Sequence, residues 1–154
     1  MGTALMPTSR SPLPPIEIVR LHDARADAFF QKARREALNT LWGFNVVWHE
    51  QTYDVAALDG DEIIGALRMR VGQSLGHLEA IAVLPQRRRQ GIGRRILETA
   101  AEIGSYNNCH KLTVEVPHRS GAQTFFEVCG FREEAVLPQH AWKKDVAVLR
   151  KFLL

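Results

Sequence analysis

The sequence predicts a mixed α/β domain, because strand and helix signals alternate along most of its 154 residues. Two apolar runs, Tyr53–Leu58 and Glu62–Val71, are joined through Asp59-Gly60, and Asp-Gly between such runs is a strong hairpin signal. An apolar strand over Leu78–Leu84 is followed by an amphipathic helix and then by a second strand, Lys111–Val116. This order predicts a right-handed strand–helix–strand crossover within one sheet.

The other elements follow from capping residues and apolar spacing. The β-branched run Ile16–Arg20 predicts a first strand, and Asp23 is a cap for a helix whose apolar positions recur at helical spacing as far as Leu41. The remaining predictions are helices over about Gly91–Tyr106 and Gly121–Val128, the second ended by Gly130, and closing strands over Phe131–Leu137 and Val146–Leu153. Together these elements predict an α/β (α+β) fold.

Length and composition fit one globular domain. The chain is 45% hydrophobic and 24% charged, which excludes a wholly disordered protein. Four of the seven prolines lie in residues 1–15, so a flexible leader is expected there and the domain over 16–154. No stretch approaches the ~18 apolar residues of a membrane span. Cys109 and Cys129 have no CxxC partner, so neither a disulfide framework nor a zinc site is expected, and a reducing cytoplasm fits.

The segment Ile81–Arg95 has the pattern of an anion-binding cradle. It ends a strand, passes through a basic loop and opens a helix with Gly91 and Gly93. The first turn of a helix leaves backbone N–H groups unpaired, and glycine lets an anion approach them. The spacing is neither that of a P-loop nor the dinucleotide fingerprint, whose third glycine is replaced by Ile96.

Two other interpretations of this basic segment stay open. It is either a solvated loop whose glycines only permit a turn, or a nucleic-acid contact through Arg87, Arg88, Arg89, Arg94 and Arg95. The net charge is only +3 and no aromatic residues are interleaved with the arginines, so no nucleic-acid partner is expected.

These residues resemble the acetyl-CoA signature of the GNAT N-acetyltransferase superfamily. Val83-x-Pro85-x-x-Arg88-x-x-Gly91-x-Gly93 is similar to its [RQ]-x-x-G-x-[GA] pattern, and Leu78–Val83 is similar to its fourth strand. Downstream, Ala122-x-x-Phe125-Phe126-x-x-x-Gly130-Phe131 resembles the family's A-x-x-[LF]-Y-x-x-x-G-F ending. The resemblance covers about 16–154 and implies a mixed, mostly antiparallel central sheet flanked by helices, with splayed fourth and fifth strands.

The resemblance also implies an acetyl-CoA site. The backbone of Ile81 and Val83 would pair with the pantetheine arm as with an added strand, and the N–H groups after it would hold the pyrophosphate. The residues implied in cofactor binding are Ile81, Ala82, Val83, Arg88, Arg89, Gln90, Gly91, Ile92, Gly93 and Arg94. No metal is expected, because the histidines show no metal-ligand spacing.

The implied reaction is attack of an amine on the thioester carbonyl, with a base for the amine and the Val83 N–H as oxyanion donor. Two glutamates are candidate catalytic bases. Glu79 shares a strand face with Ile81 and Val83, an apolar setting that would raise the pKa of its carboxyl. Glu115 lies on the polar face of the next strand, where some family members carry a catalytic Glu. For both, the alternative is a glutamate that faces solvent or pairs with an arginine.

Two positions depart from the family pattern. Phe126 stands where many relatives have a Tyr that protonates the departing thiolate, and Arg119 stands where an Asn commonly bonds the cofactor. Cys129 and Tyr106 are secondary candidates for the acid, with solvent as the alternative because a thiolate is a tolerable leaving group. The sequence predicts an acetyl-CoA-dependent N-acetyltransferase, and a non-catalytic acyl-CoA-binding or sensor module is the other hypothesis.

The acceptor amine has no clear signature in the sequence. Four aromatic residues either frame the acceptor or pack in the core: Trp42, Phe44, Trp48 and Tyr53. His118 either touches the substrate or is an ordinary exposed histidine. No feature selects among a small amine, an amino acid, a drug and a protein N-terminus. The oligomeric state is open, and Val146–Leu153 would supply a strand edge for a homodimer.

Overall fold

The computed structural model describes residues 2–4, 14–46 and 49–153. The chain divides between residues 46 and 47 into two compact units. The first unit contains helix α1, Arg25–Trp42, which ends at Gly43 in the left-handed conformation with a φ of 73°. The carboxylate of Asp23 accepts a hydrogen bond from the Arg25 N–H at 3.0 Å, so the predicted capping residue does bond to the start of the helix.

The predicted strand over Ile16–Arg20 is wrong, since these residues adopt no regular secondary structure. A β-branched run favours an extended backbone, but a strand forms only against a partner. The described remainder of this unit consists of a helix and loops, which offer no partner strand. Pro7 and Pro12 of the expected leader, and Trp48, lie outside the described residues.

The second unit is a six-stranded sheet with two helices. In chain order the elements are β1 (Gln51–Asp59), β2 (Glu62–Gly72), β3 (Leu75–Val83), a 3-10 turn (Pro85–Arg87), α2 (Ile92–Tyr106), β4 (Lys111–Pro117), α3 (Gly121–Val128), β5 (Arg132–Ala141) and β6 (Lys144–Phe152). Among the described residues, no helix combines the length and the apolar content that crossing a bilayer requires.

The sheet order is β1-β2-β3-β4-β6-β5. β3 and β4 run parallel, and the other neighbouring pairs are antiparallel. This arrangement confirms the predicted mixed, mostly antiparallel sheet and the predicted Asp59-Gly60 hairpin. The same order places β6 between β4 and β5, so β5 is the edge strand on this side of the sheet. The prediction that Val146–Leu153 supplies a free strand edge is therefore wrong.

The hydrophobic core lies on one face of the sheet, under α2 and α3. In β4, Leu112, Val114 and Val116 are buried and alternate with residues that are not, as a half-buried strand requires. α2 adds a buried stripe of Ile96, Leu97, Ala100 and Gly104. Phe126 of α3 is 1% exposed and packs edge to face against Phe131, with ring centroids 5.1 Å apart. Since only a short loop follows β3, this packing holds the first turn of α2 beside the carboxyl end of that strand.

β3 and β4 pair over only part of their length. Their register partners run from Leu75 with Lys111 to Leu78 with Val114. Both strands then continue, β3 as far as Val83 and β4 as far as Pro117. Past Leu78, one edge of β3 therefore faces a gap in the described sheet, which agrees with the expected splay of these two strands.

A β-bulge interrupts β3 at Glu79. Two consecutive residues of β2 lie opposite Ala80 and Leu78, so Glu79 is the extra residue. Leu78 is buried before the bulge, and after it the half-buried core-facing residues are Ile81 and Val83. The bulge therefore shifts the alternation of side chains by one position within this strand.

Candidate active site

The first turn of α2 presents unpaired backbone N–H groups. The helix is capped by Gly91 with a φ of 75°, and its first hydrogen bond runs from the Arg95 N–H to the Gly91 carbonyl at 3.1 Å. The N–H groups of Ile92, Gly93 and Arg94 therefore have no partner within the helix. A Cβ at Gly91 would meet no atom within 4 Å, so glycine both keeps this space open and adopts a conformation that strains other residues.

The arginines around this turn differ in their partners. Arg87 forms an ion pair with Asp59 at the end of β1, so its charge is already compensated. Arg89 and Arg94 contact no carboxylate within the described part of the chain. Their charges add to the positive end of the α2 macrodipole. The turn therefore suits a strongly anionic group such as a diphosphate.

A cavity of about 610 Å³ lies against this turn. Nine of the ten residues implied in cofactor binding line it, and Gln90 does not. The other wall comes from α3 and the residue after it: Gly121, Ala122, Phe125, Phe126, Val128 and Cys129. The apolar spacing in α3 predicts that this helix packs in the core, but it does not predict that the helix also lines the cavity. The only sequence signal for the cavity wall is the A-x-x-F-F motif. An apolar slot that ends in a cationic turn fits a ligand with an apolar arm and a phosphate group.

The backbone of β3 offers hydrogen-bonding groups to the gap. The Leu84 N–H donates to a β2 carbonyl at 2.9 Å. Because alternate residues of an antiparallel strand bond to opposite sides, Ala82 also faces β2, whereas Ile81 and Val83 face the gap. The Val83 carbonyl accepts a hydrogen bond from Arg88 Nε at 3.2 Å, so its N–H is the group that stays open to a ligand.

Gly93 has a packing role that the sequence analysis missed. A Cβ at this position would lie 2.9 Å from Phe125 Cζ, closer than real side chains approach. Glycine therefore allows α2 to approach α3, and the Phe125 ring forms part of the cavity wall. The two glycines of the motif act differently, because Gly91 supplies conformation and open space and Gly93 supplies close helix contact.

Glu79 does not share a face with Ile81 and Val83, and this part of the prediction is wrong. The bulge places its carboxylate on the opposite face, 3.3 Å from Nη1 of Arg70. Arg70 Nε also lies 3.5 Å from Glu50 Oε1. Glu79 therefore belongs to a polar ion-pair cluster and not to the expected apolar setting.

Glu115 lies on the same polar face as Glu79, because it alternates with the buried residues Val114 and Val116. The last register pair of β3 and β4 is Leu78 with Val114, so each glutamate is the first residue after the pairing stops. The structure thus brings both predicted carboxylates to the two sides of the gap. Neither of them lines the cavity itself.

A hydrogen bond near the gap was not predicted. Nδ1 of His77 lies 2.9 Å from Oγ1 of Thr113, and the two residues are register partners on β3 and β4. This bond crosses the sheet two residues before Glu79 and Glu115, and it ties the strands together just where they separate. Sequence spacing gives no signal for such a cross-strand pair, because the register of the two strands is needed to see it.

Phe126, at the position of the family's tyrosine, is buried between Phe125 and Phe131, and its ring has no proton to give. The two candidate proton donors, Tyr106 and Cys129, have different surroundings. Tyr106 is 87% exposed at the far end of the 15-residue helix α2, about 20 Å from the first turn, so it cannot reach the reaction. Cys129 is half-buried and lines the cavity. Among the uncharged side chains that line the cavity, only its thiol has a dissociable proton.

The loop between β4 and α3 is held by an internal network. Arg119 has a φ of 58°, a region where asparagine is favoured, and its N–H donates to Oε1 of Gln123 at 2.7 Å. The buried Gln123 donates from Nε2 to Glu133 at 2.9 Å. Nε2 of His118 lies 3.2 Å from the same carboxylate, which supports a structural role for this histidine.

Of the aromatic residues considered for the acceptor side, those that the structure describes do not line the cavity. The Tyr53 hydroxyl lies 3.2 Å from Oδ1 of Asn107, and its ring packs against the core. Trp42 and Phe44 belong to the first unit. In the described residues, no three His, Cys, Asp or Glu side chains are placed to hold a metal ion.

A sequence profile described as the acetyltransferase (GNAT) family matches residues 18–131. The chain belongs to this family. A glucosamine 6-phosphate N-acetyltransferase from Trypanosoma brucei brucei is 26% identical over 125 residues, which make up 81% of this chain and 75% of that protein. The family match agrees with the cradle, the cavity and the splayed strands described above.

Solved GNAT structures share the fold. An acetyltransferase from Bacillus cereus superposes with a TM-score of 0.70 and 17% identity, over 91% of this chain and 98% of that one. An aminoglycoside 6'-N-acetyltransferase complexed with coenzyme A superposes with a TM-score of 0.61 and 19% identity, over 67% of this chain and 73% of that one. At these identities the likeness supports the fold alone.

Proposed function

We propose that the protein is an N-acetyltransferase that moves an acetyl group from acetyl-CoA to a primary amine of a small molecule or a protein, with its catalytic domain over 16–154. The observation that carries the proposal is the 610 Å³ cavity, which joins the unpaired N–H groups of α2 to the open edge of β3. Coenzyme A has the matching parts, since a pyrophosphate is anionic and a pantetheine arm is long and has amide groups.

The donor would be held by groups of three kinds. The N–H groups after Gly91, with Arg89 and Arg94, would bind the pyrophosphate. The backbone of Ile81 and Val83 would bond the pantetheine amides across the gap. The rings and aliphatic side chains of α3 would cover the arm and exclude water from the thioester.

In the reaction, the amine nitrogen forms a bond to the thioester carbonyl carbon and the carbon–sulfur bond breaks. The amine loses a proton to a base, and the departing CoA thiolate gains one. The Val83 N–H would stabilise the oxyanion, because it faces the gap. Glu79 and Glu115 are the proposed bases, directly or through a water molecule, since they flank the opening where β3 and β4 separate. Cys129 or solvent would protonate the thiolate, because Phe126 cannot.

Removal of each carboxylate tests the base. CoA release over a panel of amines is measured for Glu79→Gln, Glu115→Gln and the control Glu62→Gln, whose side chain lies at the start of β2. Loss of a general base lowers kcat by about 10²–10⁴, and the control is expected to keep its rate. If both active-site variants retain full kcat, neither carboxylate alone is required as the base.

A non-catalytic acyl-CoA-binding module is a second candidate function, favoured by the buried Phe126 in place of a proton-donating tyrosine. Both functions predict that acetyl-CoA and CoA, but not ATP, raise the unfolding temperature. A ligand at 100 times its Kd adds about 2.7 kcal/mol to the free energy of unfolding. A shift without CoA release from any amine would favour the binding module, and no shift would refute both. Since the Trypanosoma relative is named for glucosamine 6-phosphate, that amine belongs in the panel.

A further inference from the structure

The hairpin between β5 and β6 has an exposed aromatic and cationic tip. Ala141 pairs with Lys144, and the two residues between them, Trp142 and Lys143, make the turn. Both turn residues have positive φ values, 54° and 60°, in positions where Asn and Gly are usual. Trp142 is 95% exposed and so contributes nothing to the core. An exposed tryptophan held in a strained turn is suited to contact another molecule.

One hydrogen bond closes the hairpin at this tip, and a second links the tip to the loop beside the candidate active site. The Gln139 N–H donates to Oδ1 of Asp145 at 2.9 Å, which closes the end of the hairpin. The His118 N–H donates to the Asp145 carbonyl at 3.0 Å. His118 belongs to the loop that leads into α3, and the first residues of α3 line the cavity. The tip therefore stands at the same end of the sheet as the acetyl-CoA site, in a defined position.

The tip continues the polar face that carries the two glutamates. Glu115 of β4 is the register partner of Val148 on β6, so Val148 and, four residues earlier, Lys144 lie on this face. Four strand residues span about 13 Å. This separation is long enough for a small molecule to lie between the gap and Lys144.

Carboxylates flank the gap, at Glu79, which pairs with Arg70, and at Glu115. Lys143 and Lys144 of the hairpin tip, and Arg119 of the neighbouring loop between β4 and α3, contact no carboxylate in the part of the chain that the structure describes. Carboxylates attract a protonated amine, and unpaired cations attract a phosphate or a carboxylate.

Resting on the proposed acetyltransferase function, we infer that the acceptor is a primary amine that also carries an anionic group, either a phosphate or a carboxylate. Its amine lies at the gap, and its anionic group binds to the cations of the hairpin tip and of the neighbouring loop between β4 and α3. The flat indole of Trp142 packs against the part of the acceptor that joins the two groups. The residues assigned to recognition of the anionic group are Arg119, Trp142, Lys143 and Lys144.

Matched pairs of amines test this inference. CoA release is measured at saturating acetyl-CoA with glucosamine and glucosamine 6-phosphate, and with propylamine and 4-aminobutyrate, so that each pair differs by one anionic group. We expect kcat/KM to be at least about tenfold higher for the anionic member of one pair, and that pair identifies phosphate or carboxylate. Equal values within both pairs, or a preference for the uncharged members, would overturn the inference.

Charge removal at the tip provides the second readout. Lys144→Gln is expected to raise KM for the anionic acceptor about ten- to hundredfold with little change in kcat, and to leave the uncharged acceptor unaffected. Arg132→Gln is the matched control, because it removes one exposed charge at the opposite end of the same hairpin. An equal effect of both substitutions would refute a specific contact and indicate long-range attraction only.

Binding experiments separate failure of this inference from failure of the proposed function. The unfolding shift with acetyl-CoA is measured for Lys143→Gln and Lys144→Gln, and a lost shift would assign these cations to the donor instead. If acetyl-CoA binds but every amine is inert, the indole NMR signal of Trp142, assigned with Trp142→Phe, is titrated with glucosamine 6-phosphate and with 4-aminobutyrate. A signal that moves with either probe supports the inference, and one that moves with neither overturns it.

Discussion

Replacing Gly91 with alanine separates the anion-binding role of this glycine from its conformational role. At a φ of 75°, a residue with a Cβ costs about 1–2 kcal/mol, and this Cβ would clash with nothing because no atom lies within 4 Å. Gly60→Ala is a matched control in the β1–β2 turn, with a φ of 60° and no atom within 4 Å. Both variants should therefore lose about 1–2 kcal/mol of stability, or about 2–8 °C in Tm.

The two variants are expected to differ in acetyl-CoA binding. Only Gly91→Ala places a methyl group beside the unpaired N–H groups of Ile92 and Gly93, where the pyrophosphate is proposed to lie. A hydrogen bond to a charged group contributes about 1.5–3 kcal/mol. Losing one such bond raises Kd about ten- to hundredfold, which isothermal titration calorimetry resolves at a temperature where both variants are folded.

One result would refute this reasoning. If Gly91→Ala binds acetyl-CoA as tightly as Gly60→Ala while both unfold at similar temperatures, then Gly91 serves only the backbone turn. The pyrophosphate would then lie elsewhere in the cavity. Weak binding by both variants would instead trace the loss to general destabilisation.

Three further perturbations test individual contacts. Gly93→Ala is expected to cost about 1–3 kcal/mol, because its Cβ would lie 2.9 Å from the Phe125 ring, and Phe125→Leu in the same chain should recover most of this loss in thermal unfolding. Iodoacetamide should alkylate Cys129 more slowly when acetyl-CoA is bound, and equal rates by mass spectrometry would place this thiol outside the ligand's path. The side-chain hydrogen bond from Arg68 lowers the pKa of the Asp54 carboxyl, so this pair stabilises the fold above the ordinary carboxyl pKa and the effect is lost as pH falls through the lowered pKa. Arg68→Gln should raise the Asp54 pKa toward its ordinary value in a carbon-13 NMR titration, and an unchanged titration would show that the pair has no such effect.

Local signals predicted most of the second unit. Asp59-Gly60 marks a turn that glycine makes with a φ of 60°, and the alternation in Lys111–Val116 gives the buried face of β4 directly. The cradle was also readable, because unpaired N–H groups at a helix start are a local property of the chain. These features depend on residues that are close in sequence.

Features that depend on pairing between distant segments were not readable. Nothing in Leu75–Val83 marks Glu79 as a bulge, so regular alternation put its carboxylate on the wrong face. The run Ile16–Arg20 has strand propensity but no partner in its unit. The sequence indicates only the role of Gly93 in anion access, because its contact with Phe125 joins two helices that are about thirty residues apart in sequence.

The short pairing of β3 with β4 has a consequence for how the folded protein opens. The sheet consists of two three-stranded halves, β1-β2-β3 and β4-β6-β5, joined along only four register pairs. A seam this short is a place where the halves can separate before either of them unfolds. A substrate lying in the gap would act as the missing length of strand and hold the halves together. In the empty protein, backbone amides of β3 and β4 at the seam should then exchange with solvent faster than the amides of the other strands. When the substrate binds, exchange at the seam should slow more than elsewhere in the sheet, because the bound molecule holds the two halves together.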